Sequence, residues 1–323
     1  MTSTPINHSP FFHLQAKKSL ATLLNSSVKE IKDVLRALKS NPNEYYHVFT
    51  IRQNGKERQV EETIKNLKHL HSRIKNLLVR TETPQWLISG KKGKSIVDNA
   101  HPHINAKFVT CVDVEKFYKN VAWERVLQMF LYTFHTSPDV AYWLTELIMY
   151  YDPKTERYFI PTGSPCSQIV AFWAYYQTFN NIAMYAENLG LTMTLYVDDL
   201  TLSFNKTISK CIISNINKRL KSVGLSLKLS KIKQYGPSHY KVITGNCITP
   251  GHNLVPTRTL RYDISKMVRN KKLSSLTIRE LRTLNGKIAA THIQDPTTFA
   301  CLYAKTKKIL RAKISSSTKL AKQ

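Results

Sequence analysis

The chain has 323 residues, 48 Lys and Arg against 21 Asp and Glu, and a formal net charge of +27. That length supports two or three subdomains with cores, and the hydrophobic fraction, 42%, excludes a disordered chain. So lopsided a charge calls for a polyanionic partner, nucleic acid first and an anionic membrane surface second. Against the membrane stand a polar N-terminus, MTSTPINHSP, and the lack of any apolar run of spanning length. The basic residues are also spread along the chain rather than gathered on one amphipathic helix. Cys111, Cys166, Cys211, Cys247 and Cys301 are far apart and form no CxxC pair. That pattern speaks for a reducing cytoplasm and against a zinc ribbon or a disulfide framework.

In chain order, SVKEIKDVLRALKS has helical spacing, with Val28, Ile31, Leu35 and Leu38 on one face and Ser26 or Ser27 as N-cap before Glu30. YYHVFTIRQNGKERQVEE reads as a hairpin turning at Asn54-Gly55. TIKNLKHLHSRIKNLLVR sets Ile64, Leu67, Leu70, Ile74, Leu77 and Leu78 at helical spacing. Its Lys, Arg and His form the wet face, either merely solvated or touching phosphates. AKFVTCVDVEKFY is a buried strand running into a turn or helix. WERVLQMFLYTF and AYWLTELIMYY follow as helices, separated by TSPD and closed by DPKTER. FIPTGSPCSQ is a loop in which Ser167 caps one long aromatic-rich helix ending at Gly190. After LTMTLYVDDLTLSF come a helix over SKCIISNINKRLKSVG, short strands about SLKL and KVITGNCITP, and two basic helical segments from Leu260. A basic tail from Lys305 is expected to fray. Strands and helices interleave without regular alternation, which makes the chain α+β rather than doubly wound.

The run LTMTLYVDDLTLSF places Asp198 beside Asp199 with no Lys or Arg between Leu191 and Phe204. Met193 and Leu195 before the pair, with Leu200, Leu202 and Phe204 after it, give two short strands and a tight turn near Val197-Asp198. Asp suits turns, so an ordinary hairpin accounts for one such residue. Two adjacent like charges need something positive nearby. A third carboxylate, Asp113, ends the apolar strand of Phe108, Val109 and Val112. Two strands side by side would bring it against the pair. Three carboxylates together suit hard divalent cations, such as two Mg²⁺ ions clamping the attacking and leaving oxygens of a phosphoryl transfer.

These residues resemble reverse transcriptases. YVDD looks like their Tyr-x-Asp-Asp signature, VDVEKFY like their first catalytic-aspartate motif, and IPTGSPCS like the Pro-Gln-Gly loop between them. NAHPH (Asn99 to His103) fits the Asn-Ala-x-x-His motif of bacterial retron enzymes, and VITG (Val242 to Gly245) is similar to their Val-Thr-Gly motif. The resemblance covers roughly residues 45 to 312, with five motifs in the family's order. It departs at Thr162, where the family usually has Gln, at Gln168, where Pro follows Ser, and at Lys228, where Asn is usual.

The resemblance implies a right-hand polymerase of fingers (1–105), palm with an antiparallel sheet (106–240) and thumb (241–323). Asp113, Asp198 and Asp199 would hold the two Mg²⁺ ions. Tyr118 would be the steric gate against a 2′-hydroxyl, with a core aromatic as the plainer reading. Arg58, Lys56, Thr162, Gly163 and Lys231 would meet the nucleotide. Arg258, Arg261 and Arg269, with Asn99 and His103, would bind RNA. The expected function is reverse transcription of part of a cognate noncoding RNA (msr-msd), primed from a guanosine 2′-hydroxyl, to give RNA-linked DNA (msDNA). The partners would be that RNA, its DNA product, dNTPs and a separate effector in antiphage defence, in a bacterial cytoplasm and without a membrane. An appended ribonuclease H is not expected. An intron-like or diversity-generating reverse transcriptase and a catalytically idle RNA-binding scaffold are the rivals.

Overall fold

A computed structural model of the chain describes residues 4–53, 55–269 and 271–320, excepting the side chains of Gln53, Lys56 and residues 317–320. The helices are α1 (Lys17–Leu23), α2 (Val28–Ser40), α3 (Lys65–Leu78), α4 (Ile96–Ala100), α5 (Trp123–Gln128), α6 (Pro138–Ile148), α7 (Ser167–Ala174), α8 (Tyr176–Asn188), α9 (Lys210–Lys221), α10 (Arg258–Arg269), α11 (Ile278–Gln294) and α12 (Ala300–Leu320). The strands are β1 (Tyr46–Gln53), β2 (Lys56–Thr63), β3 (Phe108–Asp113), β4 (Tyr150–Asp152), β5 (Arg157–Phe159), β6 (Thr192–Tyr196), β7 (Asp199–Phe204), β8 (Lys233–Tyr235), β9 (Lys241–Ile243), β10 (Asn246–Ile248) and β11 (Leu254–Pro256). The architecture is α+β. A four-stranded sheet runs in the order β6-β7-β3-β8, a three-stranded one in the order β11-β10-β9, and β1-β2 and β4-β5 form two-stranded sheets.

The chain divides into two compact units, the first of residues 1–93, 112–200 and 209–232, the second of 94–111, 201–208 and 233–323. In the first, Ser27 and Glu30 close a capping box on α2. Pairing of Gln53 with Lys56 leaves a two-residue turn between β1 and β2, with Gly55 at φ 73°. Asn54, the other expected turn residue, lies outside the described residues. α3 buries Leu67, Leu70, Ile74, Leu77 and Leu78, as its spacing requires.

Four expectations change here. His71 does not join the wet face of α3. It is fully buried, with Nε2 2.7 Å from the Leu147 carbonyl and Nδ1 beside Ser164 Oγ. A carbonyl only accepts, so Nε2 carries the proton and Nδ1 accepts from the hydroxyl. The TSPD break is really a helix start, since Ser137 caps α6 and Pro138 opens it. The MYY end of that segment is not helical, because Tyr150–Asp152 pairs with Arg157–Phe159 around the DPKTE turn. Ser167 is the first residue of α7 rather than its cap, its hydroxyl donating to Pro161 O, and the long helix breaks at Tyr175. There the Tyr175 hydroxyl bonds Asn120 O and accepts from Ala122 N.

In the second unit, Ala100, Val109, Ile243 and Ile248 form one small core, and Ile264, Leu276, Leu281, Leu284 and Ile288 another. Among the described residues three helices, α10 to α12, rather than two occupy the chain from Arg258 onward. The tail does not fray where expected, because Leu302, Tyr303, Ile309 and Leu310 form a stripe on α12 that packs against the second core. None of the five cysteines is in a disulfide. Among the described residues, no helix is long and apolar enough to cross a membrane.

Burial pushes His71 down to about 4 and His103 down to about 3. Both titrate near 6.5 when unfolded, so between pH 6.5 and 4 the unfolded chain takes up protons that the folded chain does not. Asp198, pushed up to about 6, acts in the opposite sense between about pH 4 and 6. Two histidines outweigh one carboxyl. The urea midpoint should therefore fall from pH 7 to pH 5, at about 1.4 kcal/mol per histidine per pH unit inside the window. A midpoint that rises on acidification contradicts this assignment.

Candidate active site

β6 and β7 are joined through Val197 and Asp198 alone, as the alternation predicts. Val197 has φ 61°, a left-handed conformation that costs a β-branched residue about 1–3 kcal/mol. Two bonds hold it there. Val197 N donates to Ser89 Oγ at 2.9 Å, and Val114 N donates to Asp198 O at 2.9 Å. The second bond ties the turn to the end of β3, where Asp113 sits. On the other side, Lys228 N donates to Asp113 O at 2.8 Å and Glu115 N to Ser226 O at 2.8 Å. Residues 226–231 therefore lie along the end of β3 without forming the strand expected at SLKL. Leu227 makes one bridge to Val114, Leu229–Lys231 is a 3-10 turn, and the next strand starts at Lys233.

The result is that Asp113, Asp198 and Asp199, each half-buried, offer oxygens within 4.8 Å of one another. Burial first, then the charges of Asp199 and Asp113, push Asp198 up to about 6. Lys231 works against this, its ammonium donating to Asp113 Oδ2 at 3.0 Å. One partly exposed lysine cannot neutralise three carboxylates. Hard oxygen donors short of positive charge, at this separation, fit divalent cations such as Mg²⁺.

Tyr118 joins this group. It is half-buried, its ring stacks on Phe117, and burial followed by the Asp198 charge raises its phenol well above the usual range. Thr162 and Gly163 lie on the loop before α7 but turn toward β2. Thr162 Oγ1 donates to Glu61 Oε2 at 3.1 Å, and Gly163 N donates to Glu61 O at 3.1 Å. A Cβ on Gly163 would stand 2.7 Å from both Glu61 O and Glu62 Cα, so the bare Cα is needed for backbone packing. Arg58 is exposed on β2, opposite Ile51. The Lys56 side chain lies outside the described residues.

In the second unit, Arg258, Arg261 and Arg269 are exposed on α10 and spaced to share one face, while Ile264 is buried. Asn99 and His103 are corrections, because both are fully buried and cannot present their side chains to RNA. Asn99 Nδ2 donates to Thr244 Oγ1 at 3.1 Å, and His103 Nδ1 lies 2.7 Å from Ser203 Oγ. Sequence reasoning missed Glu61 and Ser89. Glu61-Glu62 in a strand carried a signal, since alternation sends one of two neighbours inward.

The family model described as reverse transcriptase (RNA-dependent DNA polymerase) matches residues 11–247. The chain belongs to the reverse transcriptase family. Among curated relatives, it is 27% identical over 194 residues to the retron Se72 reverse transcriptase of Salmonella heidelberg, covering 59% of this chain and 48% of that one. It is 27% identical over 223 residues to the retron Ec86 reverse transcriptase of Escherichia coli, covering 67% of each. It is 22% identical over 317 residues to the retron Mx162 reverse transcriptase of Myxococcus xanthus, covering 88% of this chain and 64% of that one. The match thus spans between about half and two thirds of these relatives' lengths. Among solved structures, a Candida albicans telomerase in complex with a fragment of telomeric RNA aligns with TM-score 0.48 and 10% identity, over 88% of this chain and 62% of that one. An apo telomerase from Candida tropicalis, truncated from its C-terminal domain, aligns with TM-score 0.46 and 8% identity, over 72% and 61%.

Gly163→Ala should destabilise the chain by about 1–3 kcal/mol, because β2 backbone rather than a flexible side chain blocks the new methyl. Urea unfolding measures this. An unchanged midpoint would mean that the loop and β2 are not in contact.

Proposed function

We propose that the chain is a retron-type RNA-directed DNA polymerase. The observation that carries the reading is the meeting of Asp113, Asp198 and Asp199 at the joined ends of β3 and the β6–β7 turn, beside Tyr118. The retron relatives support the finer class. On this reading residues 1–105 are fingers, 106–240 palm and 241–323 thumb. The substrate is part of a cognate noncoding RNA, copied from a guanosine 2′-hydroxyl with dNTPs into RNA-linked DNA. The enzyme would act in a bacterial cytoplasm with a separate effector in antiphage defence.

Asp113, Asp198 and Asp199 would hold two Mg²⁺ ions, which when bound supply the charge stabilisation that an in-line phosphoryl transfer needs. Ionised Asp198 is required for that binding. Tyr118 would exclude a 2′-hydroxyl with its ring. Lys231, on releasing Asp113, has a proton to give to the leaving pyrophosphate. Arg58 and Lys56 on the hairpin would meet the triphosphate. The exposed arginine face of α10 would meet the RNA stem, where shape, phosphate and 2′-hydroxyl contacts dominate.

Asp113→Asn and Asp198→Asn should each cut primer extension about a thousandfold or more, the several kcal/mol expected of metal-based charge stabilisation, while RNA binding stays near normal. Robust extension by either variant removes the assignment of these aspartates as the catalytic metal ligands.

Reversing charge at Arg258, Arg261 and Arg269 should weaken a cognate stem-loop more than a scrambled one. The two RNAs are compared across a salt series, because a +27 protein binds any nucleic acid at low salt. Equal weakening of both would reduce the face to a nonspecific basic patch.

A further inference from the structure

A heavily bonded buried charge in the first unit lies outside the three aspartates. Glu61, on β2, has no exposed side-chain surface. Its Oε1 accepts from Lys119 Nζ at 2.5 Å and from Gln59 Nε2 at 3.2 Å. Its Oε2 accepts from Thr162 N at 3.2 Å and from Thr162 Oγ1 at 3.1 Å. Four donors from three separate segments therefore saturate one carboxylate. Its neighbour Glu62 points outward and pairs with Lys68 at the surface.

Burying a carboxylate and an ammonium together gains little over a well-packed apolar contact, because desolvation offsets the attraction. What such a pair does well is fix one register, since any other arrangement leaves a buried charge unpaired. Here the register concerns Tyr118. Lys119 follows it directly in the chain, and the lysine is wedged between Glu61 and the Phe159 ring, 3.5 Å from the ring centre. Ile160 N holds the Tyr118 carbonyl at 3.1 Å. The backbone carrying the Tyr118 ring is thus tied to β2 through Glu61 and to the 160–163 segment through Ile160. Thr162, standing where the resemblance expects a longer glutamine, spends its hydroxyl on the same carboxylate.

We propose that Glu61 is a positioning residue for nucleotide selection, fixing the Tyr118 ring through Lys119 and the loop through Thr162. The inference rests on the polymerase reading above. It makes sugar discrimination a property of this ion pair, buried at its carboxylate and one-third exposed (33%) at its lysine, as well as of the ring itself. Loss of the carboxylate frees Lys119, the turn at residues 117–120 relaxes, and the pocket admits a 2′-hydroxyl more readily.

The test is steady-state incorporation of dNTPs and rNTPs on a generic annealed primer–template by the full chain. It compares wild type with Glu61→Gln, Lys119→Met, Thr162→Val and the Glu61→Gln/Lys119→Met double variant, each with a urea midpoint. Glu61→Gln should raise KM for dNTP about tenfold with kcat changed less than about threefold, and lower the preference for dNTP over rNTP about tenfold. Lys119→Met should do the same. The double variant should be no worse than the worse single one, because both remove one interaction. Thr162→Val, which deletes one hydroxyl and keeps the ion pair, should shift selectivity the same way by about twofold to threefold. It supplies the answer even where the carboxylate variants fail to fold. Variants that lose stability but discriminate sugars like wild type would make Glu61 a structural residue only and overturn the inference. A wild type that extends nothing removes the polymerase reading, and this inference with it.

Discussion

Everything near the site depends on holding three like charges together against their repulsion. Each carboxylate alone would prefer water, and Asp198 is raised by burial first and then by the charges of Asp199 and Asp113. Carboxylates do not attract one another, and the Lys231 ammonium on Asp113 meets only part of the cost of holding them close. The main chain bears much of the rest. Val114 N on Asp198 O, Lys228 N on Asp113 O and Glu115 N on Ser226 O lock three segments whose side chains would push apart. Val197 completes the lock in a strained conformation, held by Ser89. The strain and the repulsion are local, and the packed strands around them oppose both.

Lys231 gives the arrangement a way to exist before any substrate arrives. Its ammonium on Asp113 lowers the local negative charge without closing the site, because it comes from a 3-10 turn and is about half exposed. On the proposed polymerase reading, a bound divalent cation would displace this flexible lysine and leave a proton donor beside the carboxylates. The same residue would then steady the cluster and serve a second task.

Period and punctuation made most of this legible. The hairpin over residues 46–63, α3, the strand ending at Asp113 and the β6–β7 turn all follow from alternation, helical spacing and turn residues. The three aspartates were legible because acid is scarce in so basic a chain and two carboxylates share one tight turn. Local pattern cannot show which polar residue a distant segment will bury. His71 sits on a helix face crowded with Lys and Arg, and only Leu147 and Ser164, both far away in sequence, turn it inward. Glu61 depends on Lys119 and Thr162 in the same way. The tail was misread for a different reason. Its apolar stripe is thin, and a stripe becomes a helix face only when a core such as that of α10 and α11 lies against it.

The two motifs that set this chain closest to the retron pattern illustrate that limit most fully. Asn99 and His103 look like recognition residues when read as NAHPH, yet both are buried. Asn99 reaches Thr244 of VITG, so the two motifs touch. Thr244 and Gly245 form the two-residue turn between β9 and β10, with φ 43° and 85°. Both positions of such a turn need positive φ, which Gly adopts freely and a β-branched Thr adopts at a cost. The Asn99 side chain donates to the threonine hydroxyl at that strained position, and Asn246 Nδ2 bonds Ile96 O on the same helix at 2.7 Å. Motifs more than a hundred residues apart therefore occur together for a structural reason: one supplies the strained turn and the other the bonds that hold it. Any role in RNA recognition would pass through the surface that this turn supports rather than through the motif side chains themselves.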